Sequence, residues 1–477
     1  MTPIYRRLER IRRVAVVTGA ALALLGVVSG RPAMAAVPGP TTLYVSPTGS
    51  DVNRGSIAAP IRTPQVAVDR LGTAGGTVKF AGGRYPAQRV LLSERDHVTL
   101  EALPGATPVL DGAGLVPPDG PTGMVDVRDS SHITVRGLTI TGYRTAALSA
   151  TPIGIYVTGA GDSITLAGNH VHHLGNDNAT LGSMDMNAHG IAVYGRDATR
   201  PITHVTVSGN ELDHLVLGAS ETLVLNGNVE NWSITHNIIH DDNNIGIDAI
   251  GFEPTISGAA RFTDVNRARN GLIAGNQVSR IVSEGNPAYY EDGAWCNCAD
   301  GIYVDGGESI VITDNQVTAA DIGIEVASEW KQGRANAVRV VSNTVTASRY
   351  TGLSVGGYDP ERGEAFDVTV TANTLRDNNT LHDGSPELLL QYYVHDTTVT
   401  DNSIVSTNDQ PVLLYRDAPA GSPVLNARLV LNRNRYQGPV PEGQELYYWN
   451  GTAHRGLPAY QAASGEDASS TYRTDHH

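Results

Sequence analysis

The sequence predicts an all-β chain wound into a solenoid, and three observations carry that expectation. Short segments alternate apolar and polar residues with period two, as a strand with one buried face requires. Each ends in an asparagine turn: His204-Val-Thr-Val-Ser-Gly-Asn210, Trp232-Ser-Ile-Thr-His-Asn237, Leu272-Ile-Ala-Gly-Asn276, Ile310-Val-Ile-Thr-Asp-Asn315, Val338-Arg-Val-Val-Ser-Asn343, Val368-Thr-Val-Thr-Ala-Asn373 and Thr398-Val-Thr-Asp-Asn402. From Asn169 to Asn402 these asparagines lie 41, 27, 39, 39, 28, 30 and 29 residues apart, so a short coil repeats and loops take up the excess. Inward Val, Ile and Leu are expected to stack on like residues, and the asparagines to form a ladder at one turn. No long stretch has period 3.6, which argues against helical repeats.

The start of the chain reads as an address. Met1 to Arg13 carries Arg6, Arg7, Arg10, Arg12 and Arg13, Val14 to Val28 is apolar, and Ala33-Met34-Ala35 offers a cleavage site. That is the plan of a secretory signal peptide over residues 1–35, with an apolar run too short for a comfortable membrane span. Arg12-Arg13 admits a twin-arginine route, although its flanks fit that signal poorly. No later segment is apolar enough to anchor the chain, so a secreted, soluble monomer is expected.

Residues 36–90 read as an N-terminal strand and helix cap. Leu43-Tyr-Val45 is a strand, and Thr63-Pro64 opens a helix to Leu71, with the threonine as its cap and proline in its first turn. Gly75 to Tyr85 is a strand between glycine turns. A helix at the end of a stack covers a strand edge that would otherwise be open. Residues 91–436 read as the coils and 437–477 as a C-terminal cap and tail. The repeat spacing implies roughly ten to twelve coils.

About 440 residues remain after cleavage, too many for one globular core but not for an array whose units meet only their neighbours. They hold 28 basic and 48 acidic residues, a net charge of −20, with Lys79 and Lys331 the only lysines. Such a surface repels nucleic acid and other polyanions and suits a neutral partner. Cys296 and Cys298 are the only cysteines, so no disulfide framework holds the fold. With one residue between them, a bridge and two free thiols both stay open.

Chemistry is expected on the outward face of one strand per coil. Gly154-Ile-Tyr-Val, Gly190-Ile-Ala-Val, Gly246-Ile-Asp-Ala, Gly301-Ile-Tyr-Val, Gly323-Ile-Glu-Val and Gly352-Leu-Ser-Val align on their glycines. The outward column then reads Tyr156, Ala192, Val224, Asp248, Tyr303, Glu325 and Ser354, with Asp305 two residues beyond Tyr303. Coils about 4.8 Å apart and a two-residue step of about 6.6 Å put Asp305 and Glu325 roughly 8 Å apart at the backbone. Asp and Glu are disfavoured on strands, and like charges repel across them, so Asp248, Asp305 and Glu325 read as functional rather than decorative. Long loops open beside them: Gly175 to Asn187, Asn286 to Cys298 and Trp330 to Arg334. Candidate substrate contacts are Tyr303, Asp300, Glu329, Asp359 and the loop aromatics Tyr289, Tyr290, Trp295 and Trp330. Glu253 reads as surface, and His189, His236 and His240 read as turn residues rather than ligands or bases. No metal-ligand set is assigned.

Tyr44-Val-Ser-Pro-Thr-Gly-Ser-Asp51, Gly75-Gly-Thr-Val78 and the Val-Thr-Val-x-x-Asn repeats resemble the right-handed parallel β-helix superfamily of secreted carbohydrate-active proteins, over roughly residues 42–436. Leu457-Pro-Ala-Tyr-Gln-Ala-Ala-Ser464 is similar to its C-terminal capping helix. The resemblance implies a right-handed parallel β-helix with capped ends and a carbohydrate substrate. The superfamily includes lyases and hydrolases. Where its calcium-dependent lyases carry a base lysine in Phe-Lys-Leu-Gly-Gly, this chain reads Leu353-Ser-Val-Gly-Gly357. Asp241, Asp242 and Asp248 resemble part of the lyase calcium cluster, and Arg349 or Tyr350 is an alternative base. The paired acids are similar to those of the β-helix β-xylosidases, which use an Asp and a Glu about one coil apart.

A glycoside hydrolase without cofactor is therefore the favoured expectation, acting on a neutral poly- or oligosaccharide. Glu325, above apolar Ile324 and Val326, is expected to be the proton donor. Asp305 is expected to be the nucleophile or base, held ionised by the Gly306 and Gly307 amides, while Asp248 tunes the pair or holds a sugar hydroxyl. Retention is favoured over inversion. A calcium-dependent polysaccharide lyase is the first alternative. A non-catalytic carbohydrate-binding or surface protein is the second.

Overall fold

The computed structural model describes residues 42–418 and 427–475, and the expected signal peptide lies outside them. Three sheets of 13 strands each run through the described chain, and successive coils add one strand to each. Sheet I contains Asp300–Asp305, sheet II Glu308–Thr313 and sheet III Gln316–Thr318. Pairing is parallel throughout sheets II and III. Sheet I is parallel until a closing antiparallel hairpin of Leu446–Trp449 with Thr452–Arg455. The fold is a parallel β-helix.

The stack exceeds the expected ten to twelve coils because segments read as caps also pair with it. Thr42–Val45 and Gly76–Phe80 join sheet II, while Gly83–Pro86 and Thr471–Thr474 join sheet III. Helix α1, Pro64–Leu71, lies against the first strands and buries Pro64, Ala67, Val68 and Leu71. Thr63 precedes it but makes no side-chain cap. Its hydroxyl donates instead to Asp51 Oδ2 at 2.7 Å, which ties the helix start to the preceding turn. Helix α2, Leu457–Ser464, closes the other end by burying Leu457 and Tyr460.

Inward positions stack like on like. Leu166, Val207, Ile234, Ile273, Ile312, Val340 and Val370 occupy one register position in seven successive strands of sheet II, and all are buried. The neighbouring column runs Ile164, Val205, Trp232, Gly271, Ile310. The indole of Trp232 overfills its coil, and Gly271 makes room for it: a Cβ there would sit 2.1 Å from the Trp232 ring.

The asparagine ladder is present and buried. Asn169, Asn210, Asn237, Asn276, Asn315, Asn343, Asn373, Asn402 and Asn434 follow one another, each at most 1% exposed. In each step the Oδ1 of one asparagine accepts both the backbone N–H and the Nδ2–H of the asparagine before it, as Asn315 does for Asn276 at 2.9 Å and 2.9 Å. The same Nδ2 also donates to a carbonyl of the preceding coil, as Asn315 does to Ile273 at 2.9 Å. Asp467 ends the series: its Oδ1 accepts from Asn434 Nδ2 at 3.0 Å, and its Oδ2 from the Tyr436 and Tyr460 hydroxyls at 2.9 Å and 3.0 Å. The residue before each ladder asparagine has a left-handed backbone, among them Gly275, Asp314, Ser342 and Ala372 at φ +65°, +55°, +57° and +56°. Non-glycine residues resist that conformation, so the ladder over-determines the turn.

Asn315→Ala strands two donors of Asn276 in a dry interior and is expected to cost roughly 2–4 kcal/mol in urea unfolding. A loss under about 0.5 kcal/mol, as at an ordinary surface site, would contradict the ladder's role.

Candidate active site

Sheet I places the outward column in the expected register. Tyr156, Ala192, Val224, Asp248, Tyr303, Glu325 and Ser354 are direct neighbours from strand to strand. Asp305 lies two residues along from Tyr303, beside Ala327. Pleating alone would turn this column to solvent. Instead Asp248, Asp300, Asp305 and Glu325 are 1%, 2%, 2% and 5% exposed, because the loops between strands fold over them.

The principal cover is the segment from Ser283 to Ala299, and Asp321 pins both its ends. Asp321 Oδ2 accepts from the Ser283 amide, the Ser283 hydroxyl and the Ala299 amide at 2.7, 2.7 and 3.1 Å. Inside the loop, Asn286 Nδ2 donates to Gly218 O and Asn243 O, both at 2.8 Å. These bonds seat Tyr289, 1% exposed, over the sheet, and Asn244 Nδ2 donates to its hydroxyl at 3.2 Å. Cys296 and Cys298 are joined by a disulfide.

Two pockets lie along this face, and they differ in kind; the Ser283–Ala299 segment lines the first alone. One, of about 520 Å³, is walled by Tyr289, Tyr303, Ile322, Tyr350, Leu389 and the disulfide, with Asp300, Glu325 and Glu329 as its acids. Ser354, Tyr358 and Gln391 complete its lining. The other, of about 710 Å³, is polar and holds Asp185, Glu221, Asp248, Glu253 and Asp305, with Tyr194 and Asn226. Tyr303 stands between Asp248 and Glu325 in the column. Its hydroxyl donates to Glu329 Oε1 at 3.3 Å, and the Tyr358 hydroxyl donates to Glu329 Oε2 at 3.0 Å. The Glu329 amide in turn donates to Asp305 Oδ1 at 2.7 Å. Of the two amides expected from the sequence, that of Gly306 donates instead to Ala327 O at 2.8 Å, continuing the strand.

The remaining candidates are placed elsewhere. Among the described residues, Tyr290, Trp295, Trp330 and Asp359 line neither pocket. Tyr290 and Trp295 pack on each other across a two-residue hairpin, with centroids 4.6 Å apart. The Arg261 guanidinium lies 4.1 Å over the Trp330 ring. Asp359 takes both the Glu361 amide, at 2.6 Å, and the Arg362 guanidinium, at 3.2 Å. Asp241 is held by Arg280 and His240, while Asp242 accepts from the Leu215 amide and the Thr222 hydroxyl, so both serve the fold. Arg349 pairs with Glu284 at 2.6 Å, whereas Tyr350 does reach the apolar pocket.

Glu221 escaped the sequence reading, although a signal was there. It precedes column residue Val224 by three positions, the offset at which Asp300 precedes Tyr303. His189, expected in a turn, instead starts the strand His189–Gly195 and is 3% exposed. A carbonyl can only accept, so His189 Nδ1 donates to Glu221 O at 3.0 Å, and Nε2 accepts from the Tyr194 hydroxyl at 3.1 Å. Burial holds the imidazole pKa down to about 4, so the ring is neutral at pH 7. His236 is an exposed turn residue, as expected.

No family model matches the chain. It is 34% identical to the uncharacterized protein YwoF of Bacillus subtilis over 433 residues, 90% of this chain and 87% of YwoF. The chain belongs to the YwoF family. A shorter stretch of 129 residues, 25% of this chain and 31% of the relative, is 30% identical to pectate lyase PEL9 of Emericella nidulans. Among solved structures it is similar to the GH136 lacto-N-biosidase of Eubacterium ramulus, with a TM-score of 0.51 and 14% identity over 91% of this chain and 68% of that one. That likeness is one of fold: a parallel β-helix of a carbohydrate-active protein.

His189 makes stability depend on pH. Its folded pKa lies below that of the unfolded chain, so acid favours unfolding: the contribution is intact above about pH 6.5 and lost as pH falls towards 4, about 3 kcal/mol in all. Urea unfolding at stepped pH should show His189→Gln with a slope shallower by up to about 1.4 kcal/mol per pH unit in that window. An unchanged slope would mean that His189 is not the neutral buried group described.

Proposed function

We propose that the chain is a secreted glycoside hydrolase acting on a neutral poly- or oligosaccharide. One observation carries the reading: a carboxyl in an apolar, aromatic-walled pocket, Glu325, adjoins a polar pocket holding Asp305 and Asp248 on the same strand face. An apolar lining favours the protonated form of a carboxyl, and a backbone amide hydrogen bond favours the ionised form. Unlike environments are what two carboxyls need for opposite roles.

Glu325 is assigned as general acid. It gives its proton to the glycosidic oxygen as the bond from that oxygen to the anomeric carbon breaks. Asp305, fixed by the Glu329 amide, attacks the anomeric carbon, and water hydrolyses the resulting ester as Glu325 takes back a proton. If Asp305 acts as base instead, it deprotonates the attacking water in a single step. Asp248 steadies a sugar hydroxyl in the polar pocket. Tyr289 and Tyr303 supply flat apolar surface for a sugar ring. The excess of acidic residues agrees with an uncharged substrate, and the fold is shared with a lacto-N-biosidase.

A lyase reading draws on the stretch similar to pectate lyase PEL9 and on Tyr350, which lines the apolar pocket. Burial pushes the Tyr350 phenol up. At neutral pH it keeps its proton, which disfavours it as the abstracting base. Hydrolysis gives saturated products and persists with a calcium chelator. Unsaturated products absorbing in the ultraviolet, lost on chelation, would establish the lyase, and a full glycan panel left intact would point to a binding protein.

Glu325→Gln is expected to lower turnover of the natural glycan by about 10²–10⁴-fold. It should spare an activated aryl glycoside, whose leaving group needs no proton. Asp305→Asn should abolish both. A folded Glu325→Gln enzyme with normal glycan turnover would overturn the assignment.

A further inference from the structure

Sheet III carries a second stack of titratable side chains, away from the strand face just described. One outward column there runs Thr141, His172, Asp213, His240, Ser279 through successive coils. One residue further, His173, His214, Asp241 and Arg280 occupy matching turn positions with left-handed backbones, φ +52°, +53°, +58° and +53°. Identical backbone at identical register superimposes their side chains. The rings of His173 and His214 are stacked, 4.8 Å apart and 9° from parallel.

Asp213 anchors this group. It is 5% exposed, His170 Nε2 lies 2.6 Å from its Oδ2, and His214 Nδ1 lies 2.5 Å from its Oδ1. His173 Nδ1 stands 2.8 Å from His172 Nδ1, so those two rings share one proton between facing nitrogens. One ligand atom each from His173, Asp213 and His214 lies within 4.8 Å of the others.

We propose that His173, Asp213 and His214 bind one divalent transition-metal ion of the zinc class. Two imidazole nitrogens and one carboxylate oxygen are a donor set that suits zinc and its neighbours and not calcium or magnesium, which prefer oxygen alone. Tetrahedral zinc needs ligand atoms about 3.4 Å apart, which small side-chain rotations from the present spacing provide. His170 is the outer partner, holding the second oxygen of the ligating carboxylate in place. A neighbouring set of His214, His240 and Asp241 shares one ligand. There, however, the Arg280 guanidinium already bonds both Asp241 oxygens at 2.5 Å and 2.7 Å, and its charge opposes a second cation. The ion would join two adjacent coils and so tie the stack at this turn.

The test is Zn(II) titration of the folded chain without an added histidine tag, by calorimetry, with Co(II) absorption as a second reading. One ion per chain is expected, with a thermal midpoint that rises on addition of Zn(II). His173→Ala/His214→Ala should weaken binding by about tenfold or more and abolish the rise, while Asp241→Asn should leave both. Absence of Zn(II) binding by the wild-type chain would overturn the proposal. So would a double variant, folded by circular dichroism, that binds with unchanged affinity.

Discussion

Nine successive coils of this protein each bury a primary amide, and the fold depends on that amide finding its counterpart one coil away. Each ladder asparagine satisfies three donors and one acceptor without water, but only if its neighbours stand in register. A slip by one coil position would leave several amides unpaired in the interior, at a cost of about 1–3 kcal/mol each. The ladder therefore forces residues that are 27 to 41 apart in sequence into vertical columns. Asp467 ends it with a carboxylate that accepts from Asn434 and from two buried tyrosines, so the last ladder amide is not left unpaired.

Columns are what give the outer faces their chemistry. On sheet I they place Asp248, Tyr303 and Glu325 in consecutive coils, and on sheet III they place His172, Asp213 and His240 in consecutive coils. Neither group is local in sequence. A β-helix thus builds clusters that helical packing assembles only through tertiary contact, because one strand-to-strand step is about 4.8 Å.

A column on an open sheet would remain wet, and its carboxylates would be ordinary. Here the Ser283–Ala299 segment, clamped by Asp321, covers an apolar compartment through Tyr289 and the disulfide, while Asp185, Asn187, Ser220 and Glu221 line a polar one beside it. The aromatic residues of the loops divide accordingly. Tyr289 is seated over the pocket by Asn244 and Asn286, whereas Trp330 and Trp295 are used to hold loops together through Arg261 and Tyr290.

The sequence by itself determined the solenoid, the ladder and the order of the outward column, because each follows from local rules: period-two alternation, a turn asparagine and a glycine that marks the strand start. Tyr156, Ala192, Asp248, Tyr303, Glu325 and Ser354 could be placed in register without coordinates for that reason, whereas Val224 follows Thr222 where the others follow glycine. What only the tertiary structure decided is the state of that column. Burial of Asp248, Asp305 and Glu325, their division between two pockets, the recruitment of Glu221 and His189, the amide that holds Asp305 and the bridging of Cys296 to Cys298 all depend on how loops from different coils fold over the sheet. Loop packing is set by contacts among segments far apart in the chain, such as Asp321 with Ser283, and no periodicity announces those.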